Sequence, residues 1–165
     1  ENAHEVVSQC HALLTESRER YACRESEAQH LSYLSEAQLL AGLESEAIDT
    51  AREAAALANK QTARLFELQA LIALLRALLV RGGAEDEYRQ GLDRATVLLE
   101  ETGARALEPQ VMEMRGRLSA SLGDEQQARQ KLEAAHKLYV EVGAEGHAER
   151  LAEQLCHVPS RSGTR

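Results

Sequence analysis

The glycines of this chain keep a period. Gly42, Gly83 and Gly123 stand 41 and 40 residues apart, and a second ladder, Thr62-Ala63, Gly103-Ala104 and Gly143-Ala144, repeats at 41 and 40 about twenty residues further on. Two punctuation marks per period predict two helices per period, because glycine supplies the left-handed backbone that ends a helix. Acidic or small polar residues follow the first ladder directly, in Gly42-Leu43-Glu44-Ser45, Gly83-Ala84-Glu85-Asp86 and Gly123-Asp124-Glu125, and such residues start helices. Between the marks, apolar residues recur at helical spacing: Ala47, Ala51, Ala54 and Ala58; Leu92, Ala95, Leu98 and Leu99; Ala128, Leu132, Ala135 and Leu138. An alanine falls twelve residues after each turn glycine, at Ala54, Ala95 and Ala135, where two helices must approach closely.

These features predict an all-α fold. With 27 Ala, 25 Leu and 23 Glu among 165 residues, against five aromatic residues and two prolines, strong helix formers make up nearly half the chain. The expected helices are about 2–20, 22–41, 44–60, 63–81, 85–102, 104–122, 124–142 and 144–156, with a turn near Arg20 and Tyr21. Pro109 should distort or restart the sixth. A single helix pair cannot bury its apolar face, so the pairs should stack into one array over 2–156. Residues 157–165, with Pro, Ser and Gly and no apolar period, read as a disordered tail.

The segment from Gly116 through Gly123-Asp124 and Ala128 to Leu132 and Ala135 resembles the tetratricopeptide pattern: a small residue inside the first helix, Gly-Asp at the turn, then Ala, a large apolar residue and Ala. The counterparts are Gly42, Ala47, Ala51 and Ala54, and Gly83, Tyr88, Leu92 and Ala95, where Tyr88 replaces the small residue. The common period of that family is about 34, so helices here would be about a turn longer. HEAT-like repeats, with a similar period, are the alternative architecture. The resemblance implies antiparallel helix pairs wound as a right-handed superhelix. Leu99-Glu100-Glu101-Thr102-Gly103-Ala104-Arg105 and Tyr139 to Leu151 look like the C-terminal tetratricopeptide arms of large bacterial regulators that carry a signalling ATPase module, often with a nucleotide cyclase or helix-turn-helix domain. By that resemblance the chain is a sensor or interaction arm excised from a longer protein.

Several chemistries lack their motifs. No glycine precedes Lys60, Lys131 or Lys137, which excludes a P-loop, and HExxH, EF-hand, GxSxG and GxGxxG are absent. The six histidines are scattered, and Cys10, Cys23 and Cys156 form no CxxC pair, so neither a metal site, a cofactor site, a catalytic dyad nor a disulfide framework is expected. That cysteine usage fits a reducing compartment, expected to be the cytoplasm. A net charge of -8 opposes direct nucleic-acid binding. The longest apolar run, Leu68 to Val80, is broken by Gln69 and Arg76, which argues against a membrane span.

What remains is binding. Leu65 to Val80 is apolar around nearly the whole helix circumference. If the first helix of each pair lines the concave side, as in tetratricopeptide arrays, counting back from Gly83 sets Ala70, Ala73, Ala77 and Val80 on a groove floor. The equivalent positions are Gln29, Ser32, Glu36 and Leu39 on one side and Gln110, Glu113, Arg117 and Ala120 on the other. Such a groove would suit a protein or peptide partner. The same helix could instead be the central core of the stack or a self-association face. The expected function is a non-enzymatic interaction scaffold, the alternative being a regulatory domain that senses a small apolar effector in the groove.

Overall fold

A computed structural model describes residues 2–20 and 26–157. Among them the chain forms eight α-helices and no strand: α1 (Ala3–Glu19), α2 (Glu27–Leu40), α3 (Glu44–Lys60), α4 (Arg64–Arg81), α5 (Glu85–Thr102), α6 (Glu108–Ser121), α7 (Glu125–Glu141) and α8 (Glu145–His157). The expected start of the second helix at 22, the turn at Tyr21 and residues 158–165 of the expected tail lie outside the described residues, as does Cys23. His157, placed in the tail by sequence, is the last residue of α8.

The helix ends follow the predicted chemistry. At Ala41, Gln61, Leu122 and Val142 the chain turns in one way: the next residue has positive φ, and the N–H after it donates to the carbonyl five residues back. These bonds run from Leu43 to Gln38 (2.9 Å), Ala63 to Ala58 (2.9 Å), Asp124 to Ser119 (2.9 Å) and Ala144 to Tyr139 (2.8 Å). Three of the four turn residues are glycine; the fourth, Thr62, holds φ 56° despite its branched side chain. The α5–α6 junction differs. A short 3-10 turn at Arg105–Leu107 precedes α6, and Pro109 sits buried in the first turn of α6, where its missing N–H removes no helical bond. The sixth helix thus restarts at Glu108 rather than running from 104.

The chain divides into two compact units, residues 1–103 and 104–165. In the N-terminal unit α1 to α5 each pack on their sequence neighbours, and α2 also packs on α4. Its core includes Val7, Leu14, Leu31, Leu34, Ala37, Ala54 and Ala70. The alanines let helix axes approach, as their recurrence after the turn glycines predicts. In the C-terminal unit α6 packs on α7 and α7 on α8, around Ala135, Tyr139, Ala148 and Leu151.

Alternate helices are joined by side-chain contacts, two of them at the sequence period. In the N-terminal unit Arg18 reaches Glu53 and Arg52 reaches Glu87, each 35 residues on; Gln29 meets Gln69 and Glu36 meets Arg76 across 40. In the C-terminal unit Arg117 meets Gln154 and Glu113 meets Arg150 across 37. The 40-residue contacts join corresponding positions and the 35- and 37-residue ones join neighbouring positions of alternate helices, so each unit is a stack of helices, as repeat arrays require.

Candidate interaction face

Helix α4 is apolar on all sides because it is enclosed on most of them. It packs against α2, α3 and α5, and Leu68, Leu71, Ile72, Leu74, Leu75 and Leu78 are buried. The strip it leaves open carries Leu65, Gln69, Arg76 and Val80. Helix α2 leaves open Gln29, Tyr33, Glu36 and Leu40, spaced i, i+4, i+7 and i+11. Two polar rungs join the strips: Gln29 Nε2 donates to Gln69 Oε1 at 3.4 Å, and an Arg76 guanidinium nitrogen donates to Glu36 Oε1 at 2.6 Å. Both rungs span 40 residues, so α2 and α4 run parallel in register and Leu40 corresponds to Val80. Leu40 is 82% exposed, Val80 58%, Tyr33 52% and Leu65 43%.

That register differs by one residue from the sequence alignment, which paired Gly42 with Gly83. In space Gly42 corresponds to Gly82, and Gly83 is an extra residue in the α4–α5 turn. Both glycines there have positive φ, 72° and 76°, and the turn carries Gly82 N–H to Leu78 carbonyl (2.8 Å) in place of the closure used at the four regular ends.

The one-residue shift redistributes the candidate groove residues. Gln29, Glu36 and Val80 lie on the open face. Ala70, Ala73 and Ala77 are buried inside the N-terminal unit, Ala70 in the α1–α2–α3 core, so they act as spacers between helices and not as a floor open to solvent. Ser32 is buried too, its hydroxyl donating to the Ala28 carbonyl at 2.9 Å. Tyr33, Leu40, Gln69 and Arg76 also lie on this face, though none stood among the residues expected to line the groove. The i, i+4, i+7, i+11 recurrence from Gln29 to Leu40 was the available signal.

Gln110, Glu113 and Arg117 belong to the C-terminal unit, where Gln110 is partly exposed and the other two are tied into a polar hub. The buried Glu113 carboxylate accepts from Arg117 (2.8 Å), from both terminal nitrogens of Arg150 (3.2 and 2.8 Å) and from the Tyr139 hydroxyl (2.9 Å). Arg117 also donates to Gln154 (2.7 Å), and the Tyr139 ring stacks on His147 at 5.1 Å. Burial pushes the Glu113 carboxyl upward, but the hydrogen bonds and charges of Arg150 and Arg117 outweigh it and hold the group below the usual carboxylate range. Three side chains, Arg117 of α6, Tyr139 of α7 and Arg150 of α8, are joined by one carboxylate, so its position is that of a brace. The N-terminal unit has a simpler brace: Glu67, also buried, accepts from Arg94 through two nitrogens (2.8 and 3.0 Å) and from Asn59 (3.1 Å).

Among the described residues no three His, Cys, Asp or Glu side chains group to hold a metal ion, and no helix is long and apolar enough to cross a membrane. No family model matches the chain, and no curated protein matches it in sequence.

Proposed function

We propose that the protein is a non-enzymatic helical-repeat scaffold that binds a protein or peptide on the open face of α2 and α4. The observation that carries this reading is the set Tyr33, Leu40, Leu65 and Val80, large apolar side chains left exposed on two adjacent, in-register helices. Grouped exposed apolar side chains bordered by polar ones are characteristic of interaction surfaces, and the rungs Gln29–Gln69 and Glu36–Arg76 supply the polar part. The openness of these residues favours an extended or helical peptide over a small effector, which would need enclosure. In this reading the chain winds as a right-handed tetratricopeptide-like array, works in a reducing compartment and serves as the interaction arm of a larger bacterial signalling protein.

The test uses exposed positions, because a charge introduced at Ala73 or Ala77 would be buried. A photo-crosslinking phenylalanine analogue placed at Leu40, in the protein as its source cell makes it, should give a discrete adduct. The same analogue at Val97, exposed on α5, should not. Val80→Arg should remove the Leu40 adduct while leaving the circular dichroism unchanged. Identical adducts from both positions, or no adduct from Leu40, would refute the reading.

A further inference from the structure

We infer that the occupant of the α2/α4 face is a basic amphipathic segment of a partner protein, an inference that rests on the interaction reading above. The docking surface itself is apolar: Leu40 and Val80 are equivalent residues, one at the C-terminal end of each parallel helix. What surrounds them decides the chemistry of the occupant.

The chain turns after each of these residues into the first turn of an outer helix. Those first turns carry Glu44 and Glu46 on α3, and Glu85, Asp86 and Glu87 on α5. Arg52 of α3 binds Glu87 of α5 through two nitrogens at 2.8 Å, bridging the two outer helices. Glu44, Glu46, Glu85 and Asp86 make no ion pair among the described residues; Glu46, Glu85 and Asp86 are exposed and Glu44 is half-buried. The cations near this edge are few. Arg52 is engaged with Glu87 and Asp49, and Arg81, beside Val80, lies close enough to Glu87 to lower its carboxyl alongside Arg52. Arg89 stands one turn further along α5.

The macrodipole favours an acidic residue in a first turn, but α8 manages with one, Glu145, and α7 with Glu125 behind its Asp124 cap, against three on α5. The excess is also regional. Residues 1–103 hold 18 Asp and Glu against 10 Lys and Arg, whereas residues 104–165 hold nine of each, so the entire net charge of -8 belongs to the N-terminal unit. Glu44 and Glu46 follow Leu40 by four and six residues, and Glu85 and Asp86 follow Val80 by five and six, so the excess charge borders the C-terminal ends of α2 and α4, where the screening length is about 8 Å at physiological salt. Lysines and arginines beside apolar anchors would meet these carboxylates, while an acidic or nucleic-acid ligand would be repelled.

Two synthetic 18-residue helical peptides with the same leucine pattern, one with lysine and one with glutamate at every polar position, test this by fluorescence anisotropy with the full chain at 0.15 M salt. The lysine peptide should bind at least tenfold more tightly than the glutamate peptide. Leu40→Ser with Val80→Ser, which leaves all charges in place, should weaken it tenfold or more. Replacing Glu44, Glu46 and Glu85 by Gln and Asp86 by Asn should weaken it severalfold and flatten its salt dependence, with melting curves confirming folded protein throughout. Equal binding of the two peptides, binding indifferent to the Leu40 and Val80 changes, or no binding of the lysine peptide would each overturn the inference. The crosslink from Leu40 would persist in those cases if the interaction face itself stands, so the two failures are distinguishable.

Discussion

Replacing Gly116 by Ala should destabilise the protein, although alanine is the better helix former. A Cβ at Gly116 would lie 2.7 Å from Leu132 Cγ, 2.8 Å from Leu132 Cδ2 and 3.2 Å from the Ala128 carbonyl oxygen. Carbon atoms prefer about 3.5–4.0 Å, so the overlap with Leu132 is close to 1 Å. Leu132 Cγ is a branch atom, and moving it requires a new χ1 or a separation of α6 from α7. Helix propensity would return about 1 kcal/mol, against an overpacking cost of about 1–3 kcal/mol, which leaves a net loss of up to about 2 kcal/mol. Gly91 provides the control. Its added Cβ would meet only Leu75 Cδ2 at 3.3 Å and Cγ at 3.8 Å, a methyl end that can yield by a few tenths of an ångström. Gly91→Ala should therefore be neutral or stabilising by about 0.5–1 kcal/mol. Urea denaturation followed by circular dichroism gives both values by linear extrapolation. Gly116→Ala combined with Leu132→Ala should lose less than the sum of the single changes, because the second substitution removes the obstructing atoms. If Gly116→Ala stabilises the chain as much as Gly91→Ala does, the close approach of α6 to α7 is wrong.

Two other perturbations test particular elements. Thr62→Gly should raise stability by about 0.5–1 kcal/mol, since relief of a left-handed conformation costing about 1–2 kcal/mol exceeds the added entropy of the unfolded glycine chain; a lowered melting temperature would contradict the φ of 56°. Glu113 titrates below its unfolded value, so its contribution is complete above about pH 4.3 and is lost as the pH falls through the folded value. Melting temperatures between pH 7 and pH 2 should fall more steeply at the acid end for the parent than for Glu113→Gln, and parallel curves would remove Glu113 from its role as brace.

Much of the architecture was legible along the chain. The turn residues Gly42, Thr62, Gly123 and Gly143 mark helix ends because the backbone conformation they adopt is a local property, set by one residue and its neighbours. Pro109 marked the restart of the sixth helix for the same reason: a missing N–H and a fixed φ act within a single turn. The helical period of Ala47, Ala51, Ala54 and Ala58 was likewise enough to identify the face of α3 that becomes buried.

The open face was not legible in that way. On α4 only Gln69 and Arg76, seven residues apart, hint at the side that stays in water, and among its many apolar residues Ala73 and Val80 look alike until α2, α3 and α5 are in place. The extra residue Gly83 compounds this, because counting back from it shifts the alignment of α4 by one residue, about 100° around the helix, and puts a predicted floor in the core. The sequence by itself determined that this chain is helical, where its helices end and that they recur, since those properties depend on local backbone preference and spacing. Only the tertiary structure decided that Tyr33, Leu40 and Val80 face outward, that Ala70, Ala73 and Ala77 face inward, and that Glu113 joins three helices. Burial and ion pairing depend on which surfaces meet, and residues 35 to 40 positions apart meet only once the stack has formed.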